Sequence, residues 1–168
     1  MSQRAAARLA LAAALVLPAC GSGDPTLPEG ISRSVIVFVV DPNPVLAAPS
    51  ASFGFANIRY RVVVQEQSGL GGEFVFVNAT VFDVPSGRSV AVNNFDGDDL
   101  IVFTGSKRLE GGQTVEIAQQ IDFGLLQDST GAELTVAVQF RDDRGNVLNQ
   151  ALLVPITFPT PSPSPSPS

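Results

Sequence analysis

The chain has no histidine and no tryptophan, and it has only one cysteine (Cys20), one tyrosine (Tyr60) and one lysine (Lys107). Without histidine there is no Ser-His-Asp triad, no Cys-His pair and no imidazole-ligated metal. One lysine and one thiol leave nucleophilic catalysis few carriers, so a non-catalytic protein with no cofactor is expected. The lack of tryptophan weakens a sugar-stacking reading, since such sites favour flat exposed aromatics. A lone cysteine excludes an internal disulfide. Positive charge is scarce: 10 Lys+Arg stand against 16 Asp+Glu, with no basic cluster. That argues against nucleic acid as a partner and against electrostatic docking on anionic lipid. Long apolar runs are missing too. Leu9–Leu17 is too short to span a bilayer, which takes about 20 residues, and charged, Gly or Pro residues interrupt every later run.

What is present begins with Arg4 and Arg8, then the apolar stretch to Leu17, then small residues and a polar Gly21-Ser22-Gly23-Asp24-Pro25. A basic start, a short apolar middle and a small-residue end make a secretory signal peptide. Leu17-Pro18-Ala19-Cys20 resembles the lipobox of bacterial lipoproteins, although Pro18 is less usual there than Ala or Ser. The resemblance implies that residues 1–19 are removed and that Cys20 becomes a lipidated first residue. With three acyl chains such an anchor is effectively permanent, whereas one chain binds only marginally. The expected location is therefore the cell envelope, with the membrane as a partner through Cys20. Gly21 in place of Asp after the cysteine implies the outer membrane in a Gram-negative source. The competing reading is a soluble secreted protein cut after Gly21. With Arg4 and Arg8 removed, 8 Lys+Arg face 16 Asp+Glu, a formal charge of −8.

Residues 20–33 read as a flexible tether, rich in Gly, Ser, Pro and Glu. From Val35 the pattern turns to β. Ile58, Tyr60, Val62 and Val64 alternate with Arg59, Arg61 and Gln65, a period of two. Leu134, Val136, Val138 and Phe140 alternate with Thr135, Ala137, Gln139 and Arg141. Val35–Val40 reads as a first strand that stops at Asp41-Pro42-Asn43-Pro44. Leu100–Thr104 reads as a short strand, and no window carries a helical repeat. Turn residues separate the segments. Seven or eight strands at this spacing predict an all-β domain over residues 34–158. The Asp142-Asp143-Arg144-Gly145-Asn146 hairpin and the Leu109–Val115 strand entry resemble bacterial immunoglobulin-like and fibronectin-III-like modules. That resemblance implies an antiparallel β-sandwich with a structural or binding role. Residues 159–168 alternate Pro with Ser or Thr, a disordered polyproline-like tail.

Two groups of residues are candidates for a site. Phe74 and Phe76 would face outward with Asn78 if Val75, Val77 and Val81 face the core. An exposed aromatic pair of that kind marks an interface with an unidentified protein partner, and coverage by a neighbouring loop is the plainer alternative. The loops 68–72 and 93–99 would flank it. Asn94, Asp96 and Asp98 place oxygen ligands at alternate positions, as in the first half of a calcium loop. The glycine spacing departs from an EF-hand, and position twelve is Gly105, so a solvated acidic turn competes with a metal site. Asp142 and Asp143 are expected to be ionised and wet at a hairpin tip. A non-catalytic binding or structural module is thus expected first. A calcium- or carbohydrate-binding module comes next, and an enzyme or enzyme inhibitor last.

Overall fold

The computed structural model describes residues 29–49, 55–124, 126 and 129–159. It is all-β apart from one helix, with nine strands in a mixed, open sheet. In chain order these are β1 (Ile36–Asp41), β2 (Val45–Pro49), β3 (Phe55–Glu66), β4 (Gly72–Asp83), β5 (Ser89–Asp96), β6 (Arg108–Leu109), β7 (Thr114–Gly124), β8 (Ala132–Asp142) and β9 (Val147–Thr157). The helix α1 (Gly97–Thr104) lies between β5 and β6.

Two ladders carry the sheet. In one, β3 is flanked by β7 along its length on one side and by β1 and then β2 on the other, all antiparallel. In the other, β9, β8, β4 and β5 are successive antiparallel neighbours, with β6 on the start of β4. A short parallel pairing of Val45 and Leu46 with β9 joins them. Alternation decides what each strand buries. Ile58, Tyr60, Val62 and Val64 from β3, Ile117, Ile121 and Phe123 from β7, and Leu134, Val136, Val138 and Phe140 from β8 enter one hydrophobic cluster. One core is therefore fed by both ladders.

Two segments differ most from the sequence reading. The expected seven or eight strands are nine, because the chain does not leave the sheet after Pro44 and Arg108–Leu109 adds the short β6, while one expected strand is helical. Proline cannot donate to a ladder, but beyond the two prolines Val45 and Ala47 turn inward and re-pair the chain as β2. The segment read as a strand at Leu100–Thr104 is the end of α1. Its start is written in capping residues: Asp96 accepts from the Asp98 and Asp99 amides at 2.9 Å each, and Asp99 accepts from the Asp96 amide, a reciprocal capping box. Gly105, at φ +79, closes the helix in the left-handed conformation that glycine favours. Leu100 is fully buried, and so short a helix shows no readable repeat.

Candidate functional site

The outward pair Phe74 and Phe76 is split by a β-bulge. The register against β8 slips between Phe74 and Phe76, so Phe74 pairs with Phe140 while Phe76 pairs with Gln139. The extra residue, Val75, puts Phe74 and Val77 on the same side although three positions separate them. Phe74 is consequently a core residue, 4% exposed and edge-on to Phe140 at 5.5 Å. The expectation that it faces outward is corrected. Phe76 stays outward and half-buried, between Gln139 and Asp96.

Register fixes what stands beside Phe76. Across β5, β4, β8 and β9 the next outward rows read Asn94, Asn78, Ala137, Ala151, then Val92, Thr80, Thr135, Leu153. Phe82 follows beside Glu133 and Pro155. Val92 and Leu153 are each more than half exposed. The middle of this face holds small, neutral and apolar side chains, and its charges (Glu73, Arg141, Glu133) lie toward the ends. The outer face of β3 and β7 is its opposite. There Asn57 donates to Asp122, Arg59 to Gln120, and Arg61 to Asp41 and Glu116. That face already satisfies much of its own polarity.

Asn94, Asp96 and Asp98 do not converge. Asn94 stands on the outer face opposite Asn78, Asp96 caps α1, and Asp98 lies 3.6 Å from the Lys107 ammonium. Among the described residues no group of three or more His, Cys, Asp or Glu could hold a metal ion.

The sequence reading missed a set of buried carboxylates at strand ends. Glu66, at the end of β3, is fully buried. It accepts from the Ser34 hydroxyl at 2.7 Å, the amides of Ser68, Gly69 and Gly112 at 2.7–2.9 Å, and the Ser68 hydroxyl. Burial pushes its carboxyl up, but the Ser68 and Ser34 hydroxyls and the Gly112 and Ser68 amides outweigh this and hold it down at about 2. Asp142, at the end of β8, is not wet but buried. It accepts from the Ser34, Arg144 and Asn146 amides and the Asn146 side chain, all within 3.0 Å. Its carboxyl is raised by burial, yet these bonds hold it below the ordinary value. Asp83, at the end of β4, accepts from the Ser86 amide and hydroxyl in the same manner. Asp143 takes a two-pronged contact from Arg108, 2.7 Å per arm. The signal for the three buried acids was present: each sits two residues past an inward residue (Val64, Phe140, Val81), so parity alone turns it inward. All three are ionised acceptors for turn amides.

Tyr60 and Gln119 sit opposite each other in β3 and β7, both inward. The phenol and both amide atoms are buried without a hydrogen-bond partner. Desolvation drives the phenol well above its ordinary value, so it stays neutral. Cys20 lies outside the described residues.

No family model matches the chain, and no curated protein matches it. Among solved structures it is similar to the structural-genomics target SoR45, at 9% identity and a TM-score of 0.53, with 72% of this chain and 86% of that one covered. It is also similar to a Bordetella pertussis protein provisionally described as ApaA, at 10% identity and a TM-score of 0.49, covering 74% and 94%. A β-glucuronidase of glycoside hydrolase family 2 aligns at 14% identity and a TM-score of 0.39, over 64% of this chain and 10% of its own length. At such identity the likeness to SoR45 concerns the fold alone, and the other two carry no argument.

Proposed function

We propose that the chain is a non-catalytic, lipid-anchored envelope protein whose immunoglobulin-like β-sandwich binds a protein partner through the outer face of β5, β4, β8 and β9. The sandwich reading is supported by two ladders that feed one core and by the resemblance of the 142–146 hairpin and the 109–115 strand entry to such modules. The anchor reading is supported by the Leu17–Cys20 motif. The observation that carries the binding role is the contrast between the two outer faces. One pairs its own charges across strands. The other offers Phe76, Phe82, Val92 and Leu153 among Thr and Ala, with charge kept to its ends. An apolar centre with a polar rim is what a partner surface needs, and flat strands present it without the ordering cost of loops.

Site-directed photo-crosslinking tests this in the intact envelope. A photoreactive residue at Val92 or Leu153 is expected to give discrete adducts, and the same residue at Arg59 is expected to give none. Adducts that form only from Arg59, or equally from all three, would contradict the assignment of this face.

A further inference from the structure

We infer that helix α1 rests on the bilayer surface when the chain is lipid-anchored, with Ile101 and Val102 as the residues that enter the interface. This rests on the anchor reading above. The first observation is where the tether leaves. Ser34 is held by Asp142 and Glu66, and Ser32 accepts from the Asn146 side chain. The chain from Cys20 therefore reaches the domain at the end that holds Glu66, Gly72, Thr114 and Asp142. Nine peptide steps separate Cys20 from Glu29, at most about 30 Å of chain. A lipid on Cys20 keeps that end of the domain near the membrane.

The second observation is what else occupies that end. Helix α1 starts beside Asp96, which pairs with Phe76, and its exit leads into β6, which pairs with Gly72 and Glu73. From β8, where the tether is held, to β5 is two strand spacings, about 10 Å. Leu100 points into the core and is fully buried, while Ile101 is 42% exposed and Val102 82%. Val102 is the most exposed large apolar residue among those described. Exposed to that degree, the Ile-Val pair adds little to the core. On the anchored end, tethering makes even a weak insertion effective, because the second contact is intramolecular. Beside α1 the Lys107 ammonium lies within 4.0 Å of both Asp98 and Glu73, and Arg108 pairs with Glu110, so these charges are largely neutralised within the protein and the surface that fits is a zwitterionic interface.

The test uses the mature lipidated chain in phosphatidylcholine nanodiscs. Val102→Cys is labelled with a polarity-sensitive thiol dye, since Cys20 is blocked as a thioether. Val84→Cys, exposed at the opposite end of β4, is the control. The dye at Val102 is expected to shift to the blue and to be quenched by brominated acyl chains, and the dye at Val84 to do neither. Adding Ile101→Asp to Val102→Cys should abolish the quenching while leaving the lipid mass on Cys20 intact. A lipidated protein whose Val102 dye is not quenched, or is quenched no more than Val84, overturns the inference and leaves the anchor standing. An intact mass without lipid overturns both.

Discussion

Glu66 is the residue whose chemistry is furthest from its sequence appearance. A glutamate beside glutamine and serine reads as surface, yet it is caged by neutral donors from three separate stretches of chain. Among the described residues no cation pairs with it, and its charge is held by these hydrogen bonds. Its carboxyl lies at about 2 in the fold against 4.5 in the open chain. The stability it contributes is therefore complete above about 4.5 and is lost as pH falls through about 2. The linked free energy is on the order of 3 kcal/mol. Glu66→Gln should cost a comparable amount at pH 7, since the amide nitrogen would face donors instead of accepting from them. Urea unfolding of both proteins from pH 7 down to pH 2 checks this: the gap should shrink as pH falls below about 4.5. A gap independent of pH would mean that the cage holds the side chain by shape and not by charge.

At the scale of elements, strands were legible where period two runs unbroken. β3 and β8 fall where alternation puts them, and the same parity would have placed Glu66 and Asp142 inside had it been carried one step past the last apolar residue. What could not be read is what breaks the period. The bulge at Val75 turns Phe74 to the same side as Val77, and apolar residues on both sides of β4 hide the slip. Helix α1 is set by its capping box and not by any repeat, and its acidic start reads as well as a turn or half a cation loop. β2 was lost because two prolines look like an end. The period-two account of β8 makes a sharp prediction. Val136→Asp should unfold the domain, because an unpaired buried carboxylate costs several kcal/mol against a total stability of about 5–15. Its neighbour Thr135→Asp, on the half-buried outer face, should shift the thermal midpoint only slightly. Similar losses from both changes, measured by thermal unfolding, would contradict the register.

At the scale of the whole molecule, the two termini of the domain lie at opposite ends. The tether arrives at Ser32 and Ser34 beside Asp142, while β9 runs the length of the ladder and delivers Phe158, edge-on to Phe123 at 6.3 Å, at the far end. As proposed, Cys20 then fixes one end to lipid and the Pro/Ser segment leaves from the other, with the β5-β4-β8-β9 face standing between them. That arrangement depends on the anchor, and the sequence pattern at Leu17–Cys20 is what supports it. The most direct measurement is the intact mass of the mature protein extracted from membranes, beside a Cys20→Ala variant. The account predicts a chain beginning at Cys20 and carrying three acyl chains, and a variant that is left unprocessed or moves to the soluble fraction. A wild-type protein found soluble, unlipidated and beginning at Ser22 would contradict it.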